Sequence, residues 1–384
     1  MGARISKALG ISTFLSWSVA LILLLTVSRP GRGSEARVER RTSNPPKTQN
    51  QTLPESGPQA PDPQVKTVLD KMAAAGITRP SSVADVRRAY LFYPKLSGTP
   101  EHVFHIEDRQ IPGPLSNITV RLYTPNPTSG LPILVFFHGG GFVAGNLDAY
   151  DNPLRSVTNR CECIVVSVAY RLSPENKYPA APEDAYAATK WVAEHADSIG
   201  GDPSRIAVGG DGAGGNLAAV VTLMARDRGT PSLAFQILIY PSLDFSTMRP
   251  SWWAETDAPT VSREAKRQIS IAYLPITANL SDPFIAPIHA KDLKNLPAAL
   301  LITYEGDNPM RAEGEEYARR LTQDGVAARV SLYPNAIHGF FLMAGDLDAG
   351  KKCIDEVATT VRNAFKSKPT SPSLKSLPRS TPRN

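Results

Sequence analysis

Short runs of apolar, β-branched residues alternate with segments of helical periodicity over most of the chain. Seven runs are predicted to be strands: 118–123, 133–137, 163–168, 205–209, 235–240, 299–304 and 329–333. Four connecting segments have the spacing of helices: 182–195, 214–226, 312–323 and 354–365. Continuous apolar strands separated by helices predict an α/β fold, in which helices cover both faces of a mostly parallel sheet.

Two stretches do not follow this alternation. Residues 65–93 precede the first predicted strand, and residues 251–275 follow the strand that ends at Tyr240. Sheets of this kind carry their chemistry at the carboxyl ends of the strands. We therefore predict one domain over 65–365, in which the two stretches form a cap over the site.

The N-terminus combines Arg4 and Lys7 with an uncharged, largely apolar stretch over 8–27. This pattern is typical of an export signal or a signal anchor, which we assign to residues 1–33. No small-x-small cleavage site follows the stretch, and its absence favours a retained anchor. We expect an exported protein that is held at a membrane by this segment, or secreted or periplasmic if the segment is cleaved.

Both ends of the chain have a polar composition rich in proline and serine. Few apolar side chains are available for burial there, so residues 34–64 are predicted to be a disordered stalk and residues 366–384 a disordered basic tail. The net charge of the chain is +6, but residues 1–64 hold eight basic and four acidic residues, and five basic residues and no acidic one follow from Lys366 onward. The domain between them is mildly acidic, so we predict no nucleic-acid partner.

The chain has three cysteines, Cys161, Cys163 and Cys353, without the spacing of zinc ligands. Cys161 and Cys163 are two residues apart on what the pattern predicts as a strand, where a disulfide between them would be strained. All three are therefore expected to be buried thiols.

His138-Gly-Gly-Gly-Phe142 follows the predicted strand 133–137 directly. One interpretation is a tight turn that requires residues without a Cβ atom. The other is an oxyanion site, because consecutive glycines let backbone N–H groups point toward a developing negative oxygen. On the second interpretation, Gly139 and Gly140 are the expected donors.

Residues 205–216 have the strand, sharp turn and helix start of a nucleophile elbow. In Gly-x-Ser-x-Gly the serine occupies the tip, where the backbone exposes its oxygen. Here Gly210 and Gly214 keep the flanking positions, and the tip is Gly212. Glycine has no atom that can attack a carbonyl carbon. The N–H group of the next residue, Ala213, is the expected third oxyanion donor.

Two further motifs follow later strands. Residues 305–314 come after the strand 299–304, and Ile337-His338-Gly-Phe340 comes after the strand 329–333. An α/β-hydrolase places its acid and then its histidine base in this order after the nucleophile. His338 is therefore the candidate base.

Five motifs together resemble the hormone-sensitive-lipase family of α/β-hydrolase carboxylesterases. They are His138-Gly-Gly-Gly-Phe142, Tyr170-Arg-Leu-Ser-Pro-Glu175, Tyr178-Pro-Ala-Ala-Pro-Glu-Asp184, Gly210-Asp-Gly-Ala-Gly-Gly-Asn216 and His338-Gly-Phe340. The resemblance covers about residues 61–365. It implies the α/β-hydrolase fold with a helical cap, uncharged esters of short to medium acyl chains as substrates, and no cofactor or metal.

Two positions depart from the family pattern. The family has Gly-Asp-Ser-Ala-Gly-Gly at the elbow, where this chain has Gly212 in place of serine. Aligning residues 309–314 on the family's Asp-Pro-Leu-Arg-Asp-Glu-Gly places Asn308 at the acid position. Asp307 serves as the acid only if the loop shifts by one residue. Asp211 is a poor substitute for the serine, because an elbow presents its central residue to the pocket.

From these departures we expect a catalytically impaired, esterase-like protein that binds small esters or apolar ligands without efficient hydrolysis. Three alternatives stay open: an inactivated variant of a genuine carboxylesterase, a ligand-binding receptor-like homologue, and a hydrolase that uses other groups. The cap residues Trp252, Trp253 and Tyr273 either line an acyl pocket or belong to the core, and we favour the core.

Overall fold

The computed structural model describes residues 62–245, 262–305 and 309–366. The predicted N-terminal segment (1–33), the stalk up to residue 61, the tail from residue 367 and Trp252 and Trp253 of the cap lie outside these ranges. Within the described ranges, no helix combines the length and apolar character needed to cross a membrane.

A central sheet of eight strands carries the fold. The strands are β1 (His105–Ile111), β2 (Ile118–Thr124), β3 (Leu131–Phe137), β4 (Ile164–Ala169), β5 (Gly201–Asp211), β6 (Phe235–Ile239), β7 (Ala298–Tyr304) and β8 (Ala328–Tyr333). Their order in the sheet is β1-β2-β4-β3-β5-β6-β7-β8. β2 pairs antiparallel with β1 and β4, and all other neighbours are parallel. The expectation of a mostly parallel sheet is confirmed.

Helices connect the strands. They are α1 (Pro63–Ala74), α2 (Val83–Tyr90), α3 (Leu147–Cys161), α4 (Ala180–Glu194), α5 (Ala213–Arg228), α6 (Arg263–Tyr273), α7 (Pro309–Gln323) and α8 (Asp348–Lys366). Successive residues of a strand face opposite sides of the sheet. In β3, Val135 and Phe137 belong to a core with α4, α5 and α7, whereas Leu134 and Phe136 belong to a core with α1, α3 and α8. Both faces of the sheet are therefore covered.

The predicted strands correspond to β2 to β8, and the predicted helices to α4, α5, α7 and α8. The pattern did not predict β1, because this edge strand has mostly polar, partly exposed residues. It did not predict α3 either, because Pro153 lies inside that helix. Asn146 caps α3 by accepting a hydrogen bond from Ala149 N at 2.8 Å, which helps to start a helix despite the proline.

Helix α6, which lies in the predicted cap stretch 251–275, makes hydrogen bonds with other parts of the chain at both ends. At its N-terminus, Ser262 N donates to Pro80 O at 3.3 Å. At its C-terminus, Lys177 Nζ donates to Ile271 O at 2.6 Å, and Tyr178 N donates to Tyr273 O at 2.9 Å. Tyr273 is fully buried, with its ring stacked on Phe142 at 3.8 Å between centroids and 5° between planes. The favoured core location of Tyr273 is confirmed.

The expectation of three buried thiols was wrong for one pair. Cys161 and Cys163 form a disulfide with a Cα–Cα distance of 5.2 Å, while Cys353 is a buried free thiol. The two cysteines do not share a strand, because Cys161 ends α3 and Cys163 precedes β4. Glu162 between them has left-handed backbone angles, φ 56° and ψ 41°, which turn the chain so that the two side chains meet.

Candidate active site

A cavity of about 80 Å³ lies beyond the carboxyl ends of the central strands. Its wall includes the glycine loop after β3, which comprises residues 138–142, the turn between β5 and α5, and the loop after β8. Helices α2 and α6 and the start of α7 complete the described part of the wall. From the predicted site residues, the structure brings Gly140, Gly212, Ala213 and His338 together around this cavity. Asn308 and Asp307 lie outside the described residues.

Gly212 is the residue between β5 and α5. Its backbone angles are φ 53° and ψ −114°, a conformation that glycine adopts with little strain. Its N–H group donates to Ile239 O at 2.9 Å, and its carbonyl accepts from Ser242 N at 3.2 Å. A Cβ atom at this position would lie 3.7 Å from Cε1 and 3.9 Å from Nε2 of His338. A side chain on residue 212 would therefore point at the imidazole.

The flanking glycines allow this turn to pack closely against β3. A Cβ atom on Gly210 would lie 2.4 Å from the carbonyl of Gly214, and a Cβ atom on Gly214 would lie 1.9 Å from Phe137 O. Real Cβ atoms do not approach other atoms so closely. The sharp turn between β5 and α5 therefore depends on both glycines.

His338 follows β8 and lies against the rings of Tyr240 and Tyr304, whose centroids are 5.0 Å and 6.0 Å from its own. Burial and the positive charge of Lys266 lower the pKa of His338 to about 4. The imidazole is therefore neutral at pH 7. Its Nδ1 atom has no hydrogen-bond partner among the residues that the structure describes. In a serine hydrolase this is the nitrogen that donates a hydrogen bond to the carboxylate of the acid.

One of the two oxyanion donors predicted in the glycine loop does not face the cavity. The N–H group of Gly139 donates to Asp211 Oδ1 and to the Tyr150 hydroxyl oxygen, both at 2.8 Å. It therefore faces the body of the protein, and the expectation that it serves as an oxyanion donor was wrong. Gly140 and Gly141 line the cavity instead. Across the described ranges, the N–H groups of Gly140, Gly141 and Ala213 make no hydrogen bond.

Asp211 holds the glycine loop in place, a role that the sequence analysis did not assign. Its carboxylate is buried and accepts hydrogen bonds from Gly139 N and, at 3.3 Å, from the Tyr240 hydroxyl. Burial raises the pKa of Asp211 to about 7 despite these donors. His138 is also buried, and Tyr170 donates its hydroxyl hydrogen to His138 O at 2.7 Å. These contacts join the loop to elements that are distant in sequence.

We expect the Asp211→Asn variant to lose the part of the pH dependence of stability that the titration of Asp211 contributes. The pKa of Asp211 is about 7 in the folded chain against an ordinary value of 3.8, so between these values the folded chain holds a proton that the unfolded chain has released. The contribution of this group to the free energy of unfolding therefore falls as pH rises from about 4 to about 7, by up to ~1.4 kcal/mol per pH unit. Above that range it falls no further.

Urea unfolding of the unaltered chain and of Asp211→Asn at several pH values between about 4 and 8 measures this effect. The difference in free energy of unfolding should shift in favour of the variant as pH rises. A difference that stays constant over this range would contradict the raised pKa of Asp211, because other titrating groups are common to both proteins.

Known proteins are similar to this chain in sequence and in architecture. The family model described as alpha/beta hydrolase fold matches residues 134–342. The carboxylesterase NlhH of Mycobacterium tuberculosis is 41% identical over 288 residues, which cover 73% of this chain and 88% of NlhH. The hyperthermophilic esterase of Pyrobaculum calidifontis is 36% identical, with a TM-score of 0.75 over 80% of this chain and 100% of that structure.

A serine-to-alanine variant of the esterase rPPE, solved in complex with (S)-Ac-CPA, is 31% identical. Its TM-score is 0.74 over 82% of this chain and 100% of that structure. The mostly parallel sheet of eight strands and the helices on both of its faces agree with these matches. The chain belongs to the α/β-hydrolase family, with carboxylesterases among its relatives.

Proposed function

We propose that this chain binds small esters or other small apolar ligands in the cavity beside Gly212 and does not hydrolyse them efficiently. The observation that carries the proposal is the direction of residue 212. Its Cβ position faces His338 at 3.7 to 3.9 Å, which is where an elbow serine would meet its base. Glycine supplies no oxygen at that point.

The rest of the cavity supports ligand binding. We assign the N–H groups of Gly140, Gly141 and Ala213 as donors to the carbonyl oxygen of an ester, because they line the cavity and have no other acceptor in the described part of the chain. The apolar side chains of Phe142 and Ile269 line the same cavity. Among the relatives, a variant of the esterase rPPE with alanine in place of a serine was solved in complex with (S)-Ac-CPA, so a protein of similar structure binds a small molecule.

A second candidate function is that of an inactivated carboxylesterase. The relatives named as carboxylesterases and esterases favour it. In that case Gly212 and the acid position, with Asn308 and the alternative Asp307, replace the groups of an active triad, and His338 keeps the base position. We also keep the N-terminal segment 1–33 as a membrane anchor or export signal in this proposal.

Calorimetry with ethyl butyrate tests binding, and hydrolysis of p-nitrophenyl butyrate tests activity. We expect saturable binding by the purified full chain and hydrolysis close to the rate without protein. Ser270→Phe places a ring in the cavity wall on α6, where it would take space that the ligand needs. It should therefore reduce the affinity at least about tenfold, which corresponds to ~1.4 kcal/mol of binding free energy. Ile271→Phe is the matched control, because Ile271 is the next residue on the same helix and is 53% exposed.

Equal loss of affinity in the two phenylalanine variants would remove the assignment of ethyl butyrate to this cavity. Saturable hydrolysis by the unaltered chain at rates typical of enzymes, about 1 to 10³ per second, would overturn the proposal that hydrolysis is inefficient.

A further inference from the structure

Three large aliphatic side chains outside the cavity are exposed to solvent. Leu115, in the turn between β1 and β2, is 84% exposed, and Ile276, which follows α6, is fully exposed. Ile271, in the last turn of α6, is 53% exposed. A single exposed residue of this kind needs no explanation, whereas a group of them on one surface indicates an interaction site.

Lys177 connects the three residues into one surface. Its ammonium group donates to Ile271 O at 2.6 Å and to Leu274 O, two residues before Ile276, at 3.1 Å. Lys177 and Leu115 also line the same groove of about 350 Å³, which lies between the β1–β2 turn and the start of α4. The three aliphatic residues therefore surround one exposed lysine. We call Leu115, Lys177, Ile271 and Ile276 the Lys177 face.

The lysine at the centre of this face keeps a free donor. An ammonium group has three N–H donors, and the two carbonyl oxygens of α6 and its C-terminal end take two of them. Three nearby carboxylates have other partners among the described residues. The pairs are Glu175 with Arg87, Glu183 with Arg228, and Asp282 with the Tyr178 hydroxyl, each at 2.7 Å. The third donor of Lys177 is therefore available to an anionic group outside the chain.

This combination of side chains fits a lipid surface better than a protein partner. The cores of protein interfaces are enriched in aromatic residues and arginine and depleted in lysine, whereas the Lys177 face has aliphatic side chains around a lysine. Aliphatic side chains on protruding loops can enter the headgroup region without a complementary concave partner. A lysine beside them is attracted to anionic headgroups, and its apolar stem can lie against the acyl chains.

The part of the chain that precedes the domain is long enough for this contact. The segment 1–33 is the proposed membrane anchor, and residues 34–61 reach up to ~100 Å when extended. A domain of this size is about half as wide, so the anchor does not prevent any side of the domain from facing the membrane. A few aliphatic side chains bind a membrane weakly on their own, because stable attachment generally takes two signals.

We propose that the Lys177 face docks on a lipid surface that contains anionic headgroups. Leu115, Ile271 and Ile276 enter the boundary between headgroups and acyl chains, and the third N–H group of Lys177 donates to an oxygen of an anionic headgroup. The proposal rests on the proposed function for the N-terminal anchor, which supplies the first signal, while this face supplies the second. Ligand binding in the cavity is a separate property.

Fluorescent labelling of the full chain tests the proposal. Two of the natural cysteines form the disulfide and the third is buried, so an introduced surface cysteine takes a thiol-reactive nitrobenzoxadiazole label selectively. Leu115→Cys and Ile276→Cys place the label on the face. Val330→Cys is the matched control, because Val330 is an exposed aliphatic residue on β8, at the opposite edge of the sheet.

The vesicles contain phosphatidylcholine and phosphatidylserine at a ratio of about 7:3, so that they carry anionic headgroups. On their addition, the emission of the labels at residues 115 and 276 should rise at least about twofold as these positions leave water. The label at residue 330 should show no rise. No change at 115 and 276, or an equal rise at 330, would overturn the proposal.

A charge on one loop tests whether the two loops act together. In the chain labelled at residue 115, Ile276→Asp should reduce the emission rise at least about threefold, because an acidic side chain is repelled by anionic headgroups. Val330→Asp should leave the rise unchanged. Ile276 is fully exposed, so its replacement leaves the packing of the domain intact, which circular dichroism confirms. Equal effects of the two aspartate variants would contradict a common docking surface.

Two other outcomes identify a different role for these residues. An emission change that grows with protein concentration in the absence of lipid would mean that a second copy of the chain covers the face, and the proposal would be wrong. Sedimentation of the chain with vesicles, without a change at residues 115 and 276, would mean that only the N-terminal segment binds the membrane. Binding of ethyl butyrate is measured without lipid, so failure of the docking proposal and failure of the proposed ligand binding are distinguishable.

Discussion

Replacing Gly212 by serine and Asn308 by aspartate is expected to raise the turnover of p-nitrophenyl butyrate at least about 10³-fold. Loss of the nucleophile from a serine hydrolase costs up to ~10⁶-fold in turnover, or ~8 kcal/mol. The backbone of this chain already directs a Cβ atom at residue 212 toward His338. A serine at this position therefore needs no rearrangement of the turn to reach its base.

The second substitution acts on the base. The pKa of His338 is about 4, so the imidazole is a weak acceptor for the serine proton. By the family resemblance, an aspartate at position 308 would stand beside the histidine, and a carboxylate there raises the pKa of an imidazole. We therefore expect the double variant to exceed Gly212→Ser alone in turnover.

Gly229→Ser is the matched control for the nucleophile. Gly229 caps the opposite end of α5 and also has a positive φ of 75°. Apart from its neighbours in the chain, no described residue has an atom within 4 Å of its Cβ position. It receives the same chemical change away from the cavity and should show no gain in turnover. If the gain of the double variant persists after His338→Ala, the assignment of His338 as the base is wrong.

The serine is also expected to lower stability. A non-glycine residue held in such a conformation costs about 1 to 3 kcal/mol, whereas removal of glycine from the unfolded chain returns ~0.5 to 1 kcal/mol. Gly212→Ser should therefore lower the free energy of unfolding by about 1 kcal/mol, measured in urea. An equal or higher stability would contradict the strained conformation of residue 212.

Replacing Gly214 by alanine is expected to cost at least about 4 kcal/mol of stability. The added Cβ atom would lie 1.9 Å from Phe137 O and 2.7 Å from His138 O. Both are backbone atoms at the end of a central strand, so they cannot move without disturbing the sheet and the glycine loop together. Overpacking typically costs ~1 to 3 kcal/mol, and a larger loss is expected here because the surrounding backbone cannot relieve the contact.

Gly314→Ala is the control for that substitution. Gly314 lies inside α7, and its nearest neighbour would be the Thr303 Cγ2 atom, at 3.1 Å from the added Cβ. That atom belongs to a side chain, and alanine favours the helix by ~1 kcal/mol over glycine. We expect the free energy of unfolding to change by no more than about 1 kcal/mol. Similar losses in both variants would mean that the contact between Gly214 and Phe137 is not unusually tight.

The sequence predicted the central architecture because its strands are continuous apolar runs. β3, with Leu134 to Phe137 fully buried, is recognisable without any partner. The edge strand β1 is different, because Glu107, Asp108 and Arg109 interrupt its alternation. Its position depends on pairing with β2 over seven residue pairs. Such pairing is a tertiary property that a local pattern does not contain.

The sequence predicted which residues surround the candidate site, but it did not predict the directions in which their backbone N–H groups point. The motif His138-Gly-Gly-Gly-Phe142 located the loop, but it did not tell which N–H group faces the cavity. That choice depends on Asp211, 72 residues away, which accepts the hydrogen bond from Gly139. The disulfide was missed for a related reason, because it requires the left-handed backbone of Glu162 at the end of α3.

The attachments of α6 also affect how the cap responds to a ligand. Its C-terminal end is fixed to the body by Lys177, Tyr178 and the stack of Tyr273 on Phe142. Residue 142 is in turn part of the glycine loop that lines the cavity. The end of α6 therefore belongs to the same cooperative unit as the sheet, in the sense of hydrogen exchange. Its amides should be protected with the core, so that the C-terminal end of α6 acts as a fixed wall of the cavity and does not open separately from the sheet.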